Sequence, residues 1–231
     1  MALIGNRKHS WQARGIERRG LLLEAARALL AERGLDQVSL GDVAAKAGVP
    51  KSSAYHFYAD MQALYAALLA LVQKELIQVL SQPLRGRFAT WQNVVTTLTK
   101  RGAAFYMGNV AARQLQIGPK TPPALKLYDR HSDIAIARLY EEHIASVFDL
   151  PPIADRLRLF YRAIEIADLM FCLSMLEQGS LTKEMCREAD RAASAYLATY
   201  LPIILPYRNT EAPGYAIVRP RVPESHSLEA D

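Results

Sequence analysis

The chain has 231 residues, of which 51% are hydrophobic and 22% charged, the balance of a folded globular protein and far from that of a disordered one. Its length suits one small and one larger domain, and a formal net charge of +5 permits a polyanionic partner without requiring one. Two cysteines, Cys172 and Cys186, form neither a CxxC pair nor a secreted-type disulfide framework, which fits a reducing cytoplasm.

Before residue 20 the cations Arg7, Lys8, Arg14, Arg18 and Arg19 face one acid, Glu17. This basic arm is expected to be mobile and only partly engaged with any polyanion. Residues 1–6 are too short and polar for an export signal. Apolar residues then recur at helical spacing almost throughout, while period-two alternation of β-branched residues is essentially absent. The predicted fold is all-α, with about nine helices.

Leu22, Ala25, Ala26, Leu29 and Leu30 follow the i, i+3, i+4, i+7, i+8 template of a first helix, which Gly34 stops. Ser39 precedes Leu40, Val43, Ala44 and Ala47 at the same spacing, with Asp42 placed for a capping box, so a short second helix follows. Gly48 ends it, Val49 fills the corner, and Pro50 suits the first turn of a third helix reaching about Tyr58. Asp60 can cap a longer fourth helix carrying Leu64, Leu68, Leu71, Val72 and Val79.

Further boundaries fall at Pro83–Gly86, Gly118–Pro123, Pro151–Pro152 and Gly179–Thr182, which leaves about five helices after residue 83. From Pro206 the chain is rich in Pro, Gly, Ser and charges without periodicity, and an extended or disordered tail is expected. The expected domains are therefore 1–60 (arm and three short helices), 61–205 (larger helical domain) and 206–231 (tail). The longest uncharged run, Ala192–Tyr207, is shorter than a membrane span and contains Pro202 and Pro206, so no membrane segment is expected.

Two short helices joined by a tight glycine turn let one helix enter a major groove while the other braces it. On the third helix Ala54, Phe57 and part of Tyr58 suit the core, leaving Lys51, Ser52, Ser53, Tyr55 and His56 outward. Lysine donates to guanine edges or phosphate, hydroxyls and phenol bond phosphate oxygens, and histidine donates to either. Packing between helices also accounts for Tyr55, capping for Ser39, a solvated charge for Lys51, and contact with neighbouring aromatics for His56.

Residues 34–64, GLDQVSLGDVAAKAGVPKSSAYHFYADMQAL, resemble the DNA-binding domain of the TetR family. The shared elements are the Ala25–Ala26 pair, Gly34, Ser39, Asp42-Val43-Ala44, Ala47-Gly48-Val49, Tyr55, the aromatics Phe57 and Tyr58, and Leu64. The resemblance implies operator contacts by Lys51, Ser53, Tyr55 and His56, with Ser39 setting the start of the second helix against phosphate. It also implies a ligand-responsive repressor, released from a pseudo-palindromic operator by a small-molecule effector bound in the larger domain. Pro50 stands where the family usually has Ser or Thr, Ser52 where it often has Gly, and Met61 where a phosphate-binding Lys is usual.

The larger domain is less telling. Ala163–Leu176 is apolar on nearly every helical face, and Ala189, Ala193, Tyr196, Leu197, Tyr200 and Leu201 make a stripe on the last helix. These two helices are expected to form a homodimer interface. Trp91, Phe105, Tyr106, Met107, Leu115, Leu125, Tyr128, Phe160, Met170 and Met175 are candidate linings for an apolar effector, though ordinary core explains each of them better. Glu165 and Asp168 suit either a cationic or hydroxylated ligand or a salt bridge with Arg162 or Arg158 on the same helix.

Glycine-rich phosphate loops, GxSxG elbows and His/Cys clusters at metal spacing are absent, so no catalytic residue, metal or cofactor is expected. The alternative to a regulator is a helical ligand-binding or adaptor protein with a weakened DNA-binding face.

Overall fold

The structure is a computed structural model that describes residues 4–208, with side chains from residue 14 onward. Among the described residues there are nine α-helices and no strand. They divide into two compact units, residues up to 72 with 109–127, and residues 73–108 with 128 onward.

In the first unit, α1 (Ile4–Glu32) buries Leu22, Ala25, Ala26, Leu29 and Leu30, the stripe that its spacing predicts. It begins far earlier than that stripe, so the basic arm expected to be mobile is helical. No proline interrupts residues 4–32, and the helix runs through Gly5, Gly15 and Gly20 to reach the stripe; Ile16 stands 72% exposed. The side chains of Arg7 and Lys8 lie outside those described.

The carbonyls that end α1 are satisfied from a distant segment: Gln114 Nε2 donates to Leu30 O at 2.6 Å and to Arg33 O at 2.9 Å. That segment is α6 (Val110–Ala112) running into a π-helical turn over Arg113–Ile117. A 3₁₀ turn, Leu35–Gln37, then leads to α2 (Leu40–Ala47), α3 (Lys51–Phe57) and α4 (Met61–Leu80). Asp60 caps α4 by accepting from Ala63 N at 2.8 Å. Among the described residues α4 is long and apolar enough to cross a membrane by length and composition alone. Its Leu64, Leu68, Leu69, Val72 and Leu76 are instead buried within the protein.

The second unit holds α5 (Trp91–Gly108), most of α7 (Pro123–Val147), α8 (Arg156–Gln178) and α9 (Lys183–Ala198). Trp91 is fully buried and donates its indole N–H to Pro202 O at 2.8 Å. The chain beyond α9 is tied down as far as residue 208. Tyr207 stacks on Phe148 with ring centroids 5.2 Å apart, and backbone bonds join Asp149 N to Pro206 O and Arg208 N to Val147 O. The first three residues of the expected tail are thus held by packing, and the rest of it lies outside the described residues.

His143 is fully buried on α7, with Nε2 2.9 Å from Leu80 O and no partner for Nδ1. Nε2 is therefore the protonated nitrogen of the neutral ring. Adding a proton would bury an unpaired N–H, and burial holds the imidazole below its ordinary pKa although the Leu80 carbonyl pulls the other way. A depressed folded-state pKa means that the unfolded chain takes up the proton first, so stability is lost as pH falls. Urea denaturation should show the unfolding free energy falling from about pH 7 to about pH 5, through the unfolded histidine pKa of about 6.5. His143→Phe should flatten that slope.

Candidate nucleic-acid interface and effector cavity

The interface begins at the start of α2. Ser39 Oγ accepts from Asp42 N at 3.2 Å, and Asp42 Oδ2 accepts from Ser39 N at 2.9 Å and from the Ser39 hydroxyl at 2.6 Å. This is the capping box that the sequence predicts. The hydrogen bonds from Ser39 hold the Asp42 carboxyl below its ordinary pKa. Gly48 ends α2 at φ 64°, a left-handed conformation that favours glycine, with its N–H directed to the Ala44 and Ala45 carbonyls.

The chain then turns through buried Val49 and exposed Pro50 into α3. Ala54 is wholly buried and Tyr58 nearly so, and this fixes the rotation of α3 about its axis. Lys51, Ser52, Tyr55 and His56 are left exposed and Ser53 half-buried. Tyr55, at 49% exposure, does not pack between helices. A Cβ placed on Gly41 would lie 3.6 Å from Ser39 Oγ and 3.7 Å from Lys51 Cε, so the lysine side chain crosses the first turn of α2 beside Ser39. The outward face of α3 carries no carboxylate. Met61, half-buried, opens α4.

A second candidate site is a narrow cavity of about 40 Å³ inside the larger unit, between α4, α5, α7 and α8. That space holds little more than a few waters. Its lining combines the aromatics Tyr106, Tyr140 and Phe171 with the carboxylates Asp133 and Asp168. Tyr106 meets Phe171 edge to face, with centroids 5.8 Å apart. Burial, then the charges of Asp168, Asp129 and Asp133, push the Tyr106 phenol well above its ordinary pKa. Nearby Asp129 is buried and accepts from Gln73 Nε2 at 2.9 Å.

Of the residues singled out from sequence, Tyr106 lines this cavity and Asp168 joins it. Trp91 and Phe160 are fully buried, Phe105, Met170 and Met175 are half-buried, and Tyr128 and Met107 are largely exposed. Leu115 and Leu125 are buried and belong to the other unit. Sequence reasoning missed Asp133, Tyr140 and Phe171. The available signal was on α7, where Asp129, Asp133, Ile136 and Tyr140 share one helical face, so that acids sit at positions whose neighbours are apolar. Glu165 also departs from expectation: it pairs with Arg130 of α7 rather than with an arginine of its own helix. Neither cysteine is in a disulfide, and burial raises the Cys186 pKa, away from reactivity.

Residues 22–68 match the family model of bacterial regulatory proteins of the tetR family, and this segment contains the whole of α2 and α3. The chain is similar to solved structures of the same class. One is a TetR-family transcriptional regulator from Streptomyces coelicolor, with 21% identity, a TM-score of 0.61, and 80% of this chain and 98% of that one covered. Another is a TetR transcriptional regulator from a Rhodococcus species, with 17% identity, a TM-score of 0.54, and 78% and 95% covered. A third is SmeT in complex with triclosan, with 17% identity, a TM-score of 0.55, and 82% and 95% covered; SmeT is the repressor of the Stenotrophomonas maltophilia efflux pump SmeDEF. No curated protein matches the chain. Residues 22–68 thus match the N-terminal domain of the tetR family, α2 and α3 form a helix-turn-helix within it, and the chain as a whole shares the helical fold of these solved regulators.

Removing the cap tests the local architecture. Ser39→Ala should lower the unfolding free energy by about 1 kcal/mol in chemical denaturation.

Proposed function

We propose that the protein is a ligand-responsive repressor that binds a pseudo-palindromic operator as a homodimer in the cytoplasm and leaves it when a small molecule occupies the larger domain. The observation that carries this reading is the outward face of α3, where Lys51, Ser52, Tyr55 and His56 stand exposed while Ala54 and Tyr58 anchor the helix from behind. Lysine and histidine donate to base edges and phosphates, and the phenol and hydroxyls bond phosphate oxygens. Residues 1–60 take the DNA, with Ser39 starting α2 and Ser53 at the edge of the reading face. Residues 61–205 bind effector and partner subunit.

Dimerisation is supported by α8, where Leu169 and Leu176, seven residues apart on one face, are 48% and 65% exposed. Tyr200, just past α9, is 50% exposed and rests against Tyr196 at 5.5 Å. Large apolar side chains left in water on two adjacent helices are best covered by the same surface of a second copy. Pairing also sets two reader helices about one DNA turn apart.

The cavity supports effector binding. Aromatic walls with two carboxylates suit a small apolar body bearing a positive charge or hydrogen-bond donors. SmeT, solved with triclosan, is a regulator of the same fold that takes a small aromatic molecule. At about 40 Å³ the space must widen to admit such a ligand, so an effector would favour an opened state of the larger unit, transmitted along α4. A differential affinity of about 1–3 kcal/mol changes operator binding about 5- to 150-fold.

The test is selection of duplexes from a random library by the full-length protein, followed by affinity measurement. Lys51→Ala and Tyr55→Ala should each weaken the selected operator by about 1–3 kcal/mol, roughly 5- to 150-fold, while sedimentation still shows a dimer. A wild type that enriches no sequence would leave the alternative, a helical ligand-binding or adaptor protein.

A further inference from the structure

The N-terminal stretch of α1 lies before the residues that match the family model, and nothing in the reading of α3 uses it. Arg14 and Arg18, one helical turn apart and both exposed, form one wall of a groove of about 390 Å³ whose other wall is Ser52, Ser53 and His56 of α3. Gly15 and Phe57 complete the lining. No carboxylate is among these seven residues.

The stretch is held against α3. The Arg19 guanidinium sits over the Phe57 ring, 5.4 Å from its centroid, and a Cβ on Gly15 would lie 4.0 Å from Phe57 Cε1. Phe57 is thus covered from the side of α1, and the two guanidiniums of Arg14 and Arg18 are carried alongside the reader helix.

We propose that this groove is a second DNA-contacting element, in which Arg14 and Arg18 hold sugar–phosphate backbone at the rim of the major groove that α3 enters. It rests on the reading of α3 as the operator-binding helix and extends it to residues outside the family-matched segment. A guanidinium presents its N–H groups as a planar fork that matches two phosphate oxygens, and it stays charged at every physiological pH. Two of them at i, i+4 spacing make a donor-only wall, and the serine hydroxyls and imidazole facing it can each donate one further hydrogen bond. DNA backbone is the polyanion that such a groove meets when α3 docks, because Ser52, Ser53 and His56 belong to both surfaces. The element also supplies cationic groups in a protein whose α4 opens with Met61.

The experiment uses the full-length protein and the selected duplex. The logarithm of affinity is followed against the logarithm of potassium chloride concentration for wild type, Arg14→Ala/Arg18→Ala and Arg14→Lys/Arg18→Lys, with hydroxyl-radical footprints for each. The alanine pair removes four arginines from a bound dimer and should flatten the slope by about 3.6, at about 0.9 for each phosphate no longer neutralised. It should erase protection of a few backbone positions while leaving base preference and thermal midpoint unchanged. The lysine pair should keep the slope. An alanine pair with wild-type slope and footprint overturns the proposal. So does an unchanged slope combined with loss of inorganic phosphate binding in calorimetry, which makes the groove a site for a free anion. If wild type binds no duplex, the operator reading fails and this proposal with it; if wild type binds and the alanine pair matches it, the groove alone is refuted.

Discussion

The outward polar face of α3 depends on how that helix is rotated about its own axis. That rotation is set by the burial of Val49, Ala54 and Tyr58, which turns one side of a seven-residue helix into the core and the other into water. So short a helix has almost no stability of its own. It persists because α2, capped by Ser39 and ended by left-handed Gly48, delivers the chain at the angle where those three side chains find cover. Rotating α3 by one residue would bury Tyr55 or Lys51 and expose Ala54, and the donor-rich surface would vanish although its composition stayed the same.

The larger unit solves a different problem, that of keeping a space partly polar inside a helical core. Asp133 is buried, and Asp168 faces the same cavity. Carboxylates in such surroundings are costly unless partnered, and Gln73 serves Asp129 while Arg130 serves Glu165. The same groups raise the Tyr106 phenol, so the polar residues around the cavity act electrostatically on one another.

Much of this was legible in the residues. Apolar spacing located the first four helices because each has a face to bury, and Ser39, Gly48 and Asp60 marked boundaries because cap chemistry is local. The N-terminal stretch of α1 was misjudged for the converse reason: residues 4–20 hold three glycines and no apolar stripe, Arg14 and residues 16–20 are exposed, and spacing has nothing to read there. The Arg130–Glu165 pair was missed because a same-helix partner is visible in sequence while one 35 residues away is not.

What the sequence determined by itself was the local chemistry: an all-helical chain, a capped brace followed by a glycine turn, and a short helix whose polar residues include no acid. These follow from periodicity and capping, which act over one or two turns. Only the tertiary structure decided which side chains share a space. Asp133, Tyr140, Phe171 and Tyr106 come from three helices, and Arg14 and Ser53 from helices separated by the whole of α2, so their meeting is fixed by packing between helices, which no spacing along the chain encodes.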